Sequence, residues 1–422
     1  MAFVTSTKLS MSSSEDSAVA YSSFRWYLAS IVLGTLAIQA QGLAVAWQVY
    51  EMTKDPFALG AIGLAEVLPF VCSVLFAGYV ADTKHRQKVA SYALLMMFLF
   101  GLALFIPTFL QGFPYPLALL YLVVILGGVA RSFLTTARQA MIAEIIPHAL
   151  LGSGVRWRNA LFEGACVIGP AMAGFLWAWG GSLLTYSVMS VLFLSSLVTM
   201  VLVKTSRSLH RESEESVVQS LGAGVSFMIK QRLLLGAFTL DLFAVLLGGA
   251  VALLPIFAAE ILHIGPVGLG WLRAAPSLGA VFMSIIVITL PPLRHCGRLL
   301  YLSFAIFGLC IIGFGLSTSF LLSLAFLFIS GAADAVNVII RQTILQTGTP
   351  PAMMGRVSAV TACFVGCSNE LGSFESGATA KLLGSSVKAV VLGGVAVFGV
   401  MGMSAWCFPE IWPLDKISPD QR

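Results

Sequence analysis

Long apolar runs recur along the chain, and short polar stretches separate them. A hydrocarbon core of about 30 Å needs about 20 apolar residues per helix. Lipid offers the backbone no hydrogen-bond partners, so such runs form helices. The runs are continuous rather than alternating, which is not the pattern of a membrane β-barrel. We predict twelve membrane-spanning helices, spans 1 to 12, at 24–50, 57–81, 88–109, 115–143, 156–179, 183–203, 233–258, 266–290, 298–317, 320–347, 355–383 and 387–407.

Composition supports a membrane protein. Hydrophobic residues make up 58% of the 422-residue chain, charged residues make up 10%, and the mean hydropathy is +0.93. Soluble domains carry about 25% charged residues. The net charge of +5 does not indicate nucleic-acid binding, because the basic residues are spread over short loops. The sequence shows no HExxH motif and no clustered metal ligands, so we expect no metal, no cofactor and no enzymatic activity.

A repeat divides the chain into halves. The stretch RQAMIAEIIP (138–147) is matched by RQTILQTGTP (341–350), 203 residues later (341 − 138). P-x-x-L-G likewise occurs at 56–60 and at 266–270. Such parallel repeats are a known transporter design, with the substrate site between the halves. We predict an N-terminal tail (1–23), a first six-helix half (24–203), a linker (204–232), a second half (233–407) and a C-terminal tail (408–422).

Basic residues predict the orientation. Lys and Arg concentrate in the loops after spans 2, 4, 8 and 10 and in the linker. The opposite loops hold only Lys54, Lys381 and Lys388. By the positive-inside rule, the linker and both termini face the cytoplasm. Residues 1–23 lack the short apolar core of a signal peptide, so we expect no cleavage there.

Two motifs resemble those of the major facilitator superfamily. The loop GYVADTKHRQK (78–88) is similar to its signature G-x-x-x-D-R-x-G-R-R/K. Gly78, Asp82 and Arg86 match, whereas Thr83, His85 and Gln87 depart from the pattern, although the basic Lys88 follows. The stretch GACVIGPAMAGF (164–175) resembles the helix-5 motif of antiporters, with Gly164, Gly169, Pro170 and Gly174 in place.

Longer stretches resemble one branch of that superfamily, the drug-efflux and enterobactin-exporter-like transporters. They are AWQVYEMTKDPFALG (46–60), residues 240–280 and GRVSAVTACFVGCSNELGSFESG (355–377). The resemblance implies an all-α membrane fold of twelve helices in two pseudo-symmetric halves. It also implies proton-coupled export of a small organic molecule, a siderophore or a drug-like compound, across the bacterial inner membrane by alternating access. The expected partners are this substrate, protons and the lipid bilayer, and we expect a monomer.

Ionisable residues inside the spans are the sharpest candidates for function. A charge at a helix centre costs at least about 2.5–3.5 kcal/mol, so such residues face a cavity or pair with one another. The proton-coupling candidates are Glu66, Asp241 and Asp334, and the candidates for the substrate cavity are Gln39, Gln41, Arg131, Arg273 and Arg341. Gate candidates beyond the signature loop are Arg138, Glu163, Arg298 and Arg356. Outer-gate candidates are Asn369, Glu370 and Glu375.

Arg131 and Asp334 occupy matching positions in the two halves (334 − 131 = 203). The resemblance implies that spans 1, 4, 7 and 10 line the central cavity. We predict that the two residues pair across it in one state and separate in another. Structural roles stay open for several candidates: Arg138 and Arg341 as braces between helices, Asp241 in a structural pair, and the glutamines as contacts between helices.

The alternatives to export are uptake by the same fold and a membrane sensor that transports nothing. Direction depends on coupling stoichiometry rather than on the fold. A response to ligand that ignores the proton gradient would favour a sensor. The four arginines Arg131, Arg138, Arg273 and Arg341 lie near the middle of the spans, and they favour an anionic or amphipathic substrate.

Overall fold

The computed structural model describes residues 18–110, 116–205, 217–289, 294–350 and 353–415, without the side chains of residues 75, 82, 148, 217–221, 359, 362 and 363. Most of the predicted tails, the middle of the linker and the Asp82 side chain therefore lie outside the described residues. Within these ranges every regular element is a helix. The fold is the all-α membrane fold predicted from the sequence.

The helices follow the predicted spans to within a few residues. Spans 1 to 4 are Ser22–Thr53, Pro56–Thr83, Arg86–Phe109 and Leu117–Ile145, and spans 5 and 6 share the helix Leu151–Val201. Span 7 runs from Arg232–Gly248 through the short turns Val251–Leu253, Leu254–Ile256 and Phe257–Ile261. Spans 8 to 12 are Gly265–Thr289, Cys296–Leu316, Phe320–Gly348, Met354–Leu383 and Ser386–Cys407. The linker ends in a helix, Val217–Lys230.

Glycine and proline explain the interruptions. Gly180 and Gly181 divide the 51-residue helix into spans 5 and 6, and Gly181 has φ of 61°, a conformation that glycine adopts without strain. Span 7 breaks after Gly248, and Pro255 lies in the first turn of the segment Leu254–Ile256, where its missing N–H costs no hydrogen bond. The loop between spans 1 and 2 is only Lys54 and Asp55. Asp55 caps span 2 by accepting a hydrogen bond from the Phe57 amide.

Ten of the described helices are long and apolar enough to cross a membrane. One of these is the helix that supplies both span 5 and span 6. Span 11 is the twelfth, and it is more polar than the others because it carries Asn369, Glu370 and Glu375 among several serines. A polar helix in this fold needs a surface away from lipid, which directs attention to the space between the halves.

The halves meet at the ends of the spans that lie away from the linker, here called the opposite side. Glycines allow this approach: a methyl group added to Gly377 on span 11 would lie 2.6 Å from the Gly60 Cα on span 2. One added to Gly270 on span 8 would lie 2.7 Å from the Pro170 carbonyl oxygen on span 5. At the other end, called the linker side, methyl groups added to Gly152 or Gly355 meet no heavy atom within 4 Å. The structure is thus closed on the opposite side.

Candidate functional site

A central cavity of about 230 Å³ lies between the halves. Spans 1 to 4 line it from the first half, and spans 7, 8 and 11 line it from the second. Most of its wall is aliphatic side chains and glycine. Its polar lining consists of Gln39, Gln41, Glu66, Arg131, Arg273, Asn369, Glu370 and Ser373. An apolar pocket with a few convergent polar groups is the usual form of a small-molecule site.

A second cavity, the linker-side cavity, has a volume of about 540 Å³ and is lined by the first half alone. It shares Ile38, Gln39 and Arg131 with the central cavity, so the two adjoin. Its charged lining comprises Arg131, Arg138, Arg158 and Glu163, three cations and one carboxylate. The path from the linker side to the centre of the protein is therefore basic.

Glu66 and Arg131 form an ion pair at the wall of the central cavity, joining spans 2 and 4. Their side chains are 23% and 37% exposed, so the pair faces the cavity rather than the helix packing. The sequence predicted each residue as a cavity or coupling candidate, but not their contact. Because Glu66 has a cationic partner, it is not the isolated carboxylate that a proton carrier would offer in this state.

Arg273 and Glu370 bring two more charges to the cavity from spans 8 and 11. Among the described residues neither side chain makes a hydrogen bond or an ion pair. Arg273 lies against span 1, where a methyl group added to Gly42 would be 3.1 Å from its Nη2. Arg131 and Arg273 are the cations that face the Glu370 carboxylate. The cavity thus holds two carboxylates and two guanidinium groups. Glu66 and Arg131 are paired, whereas Arg273 and Glu370 have no direct partner among the described residues.

The repeated arginines Arg138 and Arg341 are both buried but have different partners. Arg341 forms an ion pair with Asp241 and lies over the Phe238 ring, 5.2 Å from its centroid. Asn337 donates a hydrogen bond of 2.9 Å to the same carboxylate. These residues lie outside the lining of the central and linker-side cavities, so the structure does not place Arg341 or Asp241 against a substrate.

Arg138 has no carboxylate within ion-pair distance among the described residues. Its Nη2 donates to the Ser30 carbonyl (2.8 Å) and approaches the Ser30 and Ser196 hydroxyls. On span 1 it faces Gly34, where an added methyl group would be 2.7 Å from Nη2. Arg138 therefore braces spans 1, 4 and 6 through neutral groups, and it also borders the linker-side cavity.

The structure does not bring Arg131 and Asp334 together. Asp334 lines a small crevice between spans 7, 9 and 10, where Asn337 lies 3.4 Å from its carboxylate. Arg131 instead pairs with Glu66 in its own half. Matching sequence positions were a poor guide here, because the two spans present these positions to different neighbours. Pairing of Arg131 with Asp334 in another state stays a prediction.

The signature loop holds one clear network. Arg86 donates to the carbonyls of Ala81 and Ala140 and forms an ion pair of 2.9 Å with Glu144 on span 4. Glu163, predicted to join this gate, lies in the linker-side cavity instead. Lys88 and Arg298 are exposed, and a methyl group added to Gly78 meets no heavy atom within 4 Å. The Arg356 carbonyl packs on Gly224 of the linker helix.

The antiporter-like motif of span 5 serves close packing. A methyl group added to Gly169 would lie 2.6 Å from the Gln39 Cβ on span 1, and one added to Gly174 would clash with span 8. Pro170 is buried, whereas a methyl group added to Gly164 meets no heavy atom within 4 Å. Three of the four motif residues therefore lie where span 5 meets spans 1 and 8.

Two links on the opposite side escaped the sequence reasoning. Lys381 of span 11 forms an ion pair of 2.9 Å with Asp55, the N-cap of span 2. The Tyr50 hydroxyl of span 1 donates a 2.9 Å hydrogen bond to Glu260 of span 7. Both links join the halves. Lys381 was a signal, since it is one of few basic residues in loops that are otherwise nearly free of them.

Of the outer-gate candidates, only Glu370 and Asn369 line the central cavity. Asn369 donates to the Val365 carbonyl of its own helix, and Glu375 accepts a 2.7 Å hydrogen bond from Thr379. No group of three or more metal-binding side chains occurs in the part of the chain that the structure describes. The arrangement offers hydrogen-bond donors, acceptors and opposite charges to a small molecule.

Comparison with known proteins gives a consistent result. The family described as transmembrane secretion effectors matches residues 14–418. The chain is 27% identical over 387 residues to the enterobactin exporter EntS of Shigella flexneri. The alignment covers 90% of this chain and 89% of that protein. The EntS proteins of Citrobacter koseri and Escherichia coli match with the same identity and coverage.

Solved structures support the fold. A POT family transporter in complex with 5-aminolevulinic acid aligns with a TM-score of 0.72 at 11% identity, over 93% of this chain and 97% of that one. The nucleoside transporter NupG aligns with a TM-score of 0.68 at 14% identity, over 92% and 100% of the two chains. A bacterial homologue of the lysosomal transporter Spinster, in an inward-facing and occupied conformation, aligns with a TM-score of 0.67 at 13% identity, over 91% and 96%.

Proposed function

The chain belongs to the transmembrane secretion effector family of major facilitator transporters, and from this premise we propose that it exports a small organic molecule in exchange for protons. The proposed mechanism is alternating access, with the linker side in the cytoplasm. The protein would be monomeric, would lie in the bacterial inner membrane and would have both termini in the cytoplasm. The bias of Lys and Arg toward the linker-side loops supports this orientation.

One observation carries the proposal: a charged cavity between the halves adjoins a second cavity on the linker side, while the opposite side is closed. An exporter must offer its site to the cytoplasm before it offers it outside. The Asp55–Lys381 and Tyr50–Glu260 links join the halves at the closed end. They are the contacts that must break when the protein opens outward.

The cavity lining supports an amphipathic substrate with acidic or hydrogen-bonding groups. Arginines bind carboxylates and other oxygen-rich groups through paired hydrogen bonds, and the aliphatic wall accommodates a ring or chain. A catecholate siderophore fits this description, and the similarity to enterobactin exporters supports it. A drug-like cation is the second candidate, because Glu370 and Glu163 offer it carboxylates.

Everted membrane vesicles that hold a pH gradient, followed with a dye, test the proposal. A catecholate siderophore and a lipophilic cationic drug are added in turn to vesicles with and without the protein. Loss of the gradient that requires the protein supports proton-coupled export and identifies the substrate class. Binding without any loss of the gradient would instead support a sensor. Accumulation in right-side-out vesicles alone would support uptake.

A further inference from the structure

Exchange of substrate for protons, if the proposed function holds, requires a group that changes its protonation during the cycle. Each carboxylate predicted for this role has a partner here. Glu66 pairs with Arg131, Asp241 pairs with Arg341, and Asp334 lies beside the Asn337 amide. Glu66 and Asp241 each contact a guanidinium group, and Asp241 and Asp334 lie outside the lining of both cavities. None of the three is therefore a carboxylate that faces the central cavity without a contact partner in this state.

Glu370 is different, because no described residue donates a hydrogen bond to its side chain. It borders the central cavity directly, where a ligand or a proton can reach it. Its neighbour on span 11, Glu375, borders neither cavity and accepts a hydrogen bond from Thr379 in the same helix. Of two glutamates five residues apart on one helix, Glu370 therefore faces the cavity without a hydrogen-bond donor among the described residues, whereas Glu375 has a donor and lies outside the cavity.

Charged groups of three other spans line the central cavity together with Glu370. They are Glu66 on span 2, Arg131 on span 4 and Arg273 on span 8. Span 1 presents Gln39 and Gln41, and span 7 presents only the apolar Val251 and Ala252. Because Arg131 is neutralised by Glu66, Arg273 is the cation without a dedicated counter-ion. The Glu370 carboxylate and a bound ligand are the two groups that can supply one.

Glu370 also lies at the contact between the halves. A methyl group added to Gly63 on span 2 would be 2.5 Å from the Glu370 carbonyl oxygen, so the two backbones almost touch. Spans 2 and 11 belong to different halves, and they must separate if the opposite side opens. Opening would therefore expose Glu370 to the other solution, as a proton carrier requires.

We infer that Glu370 is the carboxylate that binds and releases the transported proton. Its ionised form accepts strong hydrogen bonds from ligand O–H or N–H groups, and Arg273 binds an acceptor on the same ligand. A proton on Glu370 removes part of this acceptor capacity, so proton and ligand compete for one group. Ligand arriving from the linker side displaces the proton into the cytoplasm, and a proton from the opposite side replaces the released ligand.

Infrared difference spectroscopy of the full-length protein in lipid nanodiscs, without any ligand, tests the assignment. Acidification from about pH 9 to about pH 5 should produce a protonated-carboxyl stretching band. Glu370→Gln should abolish that component, Glu375→Gln should retain it, and Glu370→Asp should shift it. A Glu370→Gln spectrum that keeps the complete wild-type band would overturn the inference. The Asp variant covers the case in which the Gln variant does not fold.

Vesicle transport of the catecholate separates this inference from the proposed function. Glu370→Gln should lose stimulation by the pH gradient, and the exchange of labelled for unlabelled catecholate that it retains should be weaker than in the wild type and independent of pH, because the variant has no group to protonate at this position. Glu375→Gln should keep both activities. Gradient-driven transport by Glu370→Gln at the wild-type rate would contradict the inference and leave export intact. Absence of catecholate transport in the wild type would refute export of this substrate, while the infrared result would still decide whether Glu370 titrates.

Discussion

Arg131 and Glu66 form an ion pair between spans 4 and 2 of the first half, and both side chains border the central cavity. The pair lies within one half, so a motion in which the halves rock as rigid bodies would not separate it. Glu66 thereby neutralises one of the two cavity arginines. Glu370 is therefore a better candidate than Glu66 for a cavity carboxylate that changes its protonation.

Charge exchange tests which partner Arg131 needs. The variant Arg131→Glu with Glu66→Arg should recover much of the transport that either single variant loses, because the pair is restored in reverse. Arg131→Asp with Asp334→Arg should recover no transport, because these two residues are not in contact in this structure. The coupling energy from the first double-mutant cycle should be about 1–2 kcal/mol. Vesicle transport and thermal unfolding of all variants measure it. Recovery only in the Asp334 exchange would show that pairing across the halves dominates the cycle.

The helices could be read from the sequence because lipid imposes their length and their internal hydrogen bonding. Even the division at Gly180 and Gly181 falls between the predicted spans 5 and 6. The cost of burying charge likewise identified the ionisable residues that need partners or a cavity. Both constraints act within one helix, so a single sequence reveals them.

Partner choice could not be read in the same way. The repeat suggested Arg131 and Asp334 as partners, but pairing depends on which helices pack together and how each is rotated. Glu66 and Arg131 are 65 residues apart (131 − 66), and Asp55 and Lys381 are 326 apart. No local pattern marks such contacts. The same repeat placed Arg138 and Arg341 at matching positions, although only Arg341 has a carboxylate partner among the described residues.

The two repeated arginines should therefore differ in what their removal costs. Arg341→Met leaves Asp241 buried without its cation, which should lower the free energy of unfolding by about 3–5 kcal/mol. Arg138→Met removes hydrogen bonds to neutral groups and should cost about 1–2 kcal/mol. Thermal unfolding in detergent compares them. The double variant Arg341→Met with Asp241→Asn should be more stable than Arg341→Met alone. Equal losses for the two arginines would contradict this account of the asymmetry.

The Asp55–Lys381 link gives the opposite side a pH dependence. Partial burial pushes the pKa of Asp55 up, but hydrogen bonds from Lys381 and the Phe57 amide outweigh it and hold the pKa below its ordinary value of 3.8. The link is therefore fully present above that value and is lost as the pH falls through the lowered pKa. An exposed ion pair contributes about 0.2–1 kcal/mol, so its loss should raise the open fraction by at most about fivefold.

Spin labels on the exposed residues Met52 and Leu383 follow this change as a distance between the halves. The wild type should separate further only in strong acid. Asp55→Asn should show the larger separation at neutral pH and little further response to acid from this site, because asparagine keeps the helix cap but loses the charge. A neutral-pH distance in Asp55→Asn equal to that of the wild type would show that the ion pair does not hold the halves together.

A larger side chain at Gly377 should force the opposite side open. The added Cβ would meet the Gly60 Cα and the Pro56 carbonyl oxygen, each at 2.6 Å, and these backbone atoms cannot rotate away. Gly377→Val should cost the closed state about 1–3 kcal/mol, which shifts the balance toward the open state by about 5–150-fold. Gly366→Val is the matched control on the same span, since its Cβ meets no heavy atom within 4 Å. The Met52–Leu383 label distance should lengthen in the first variant and stay unchanged in the second. An unchanged distance in Gly377→Val would mean that the contact between spans 2 and 11 does not keep this side closed.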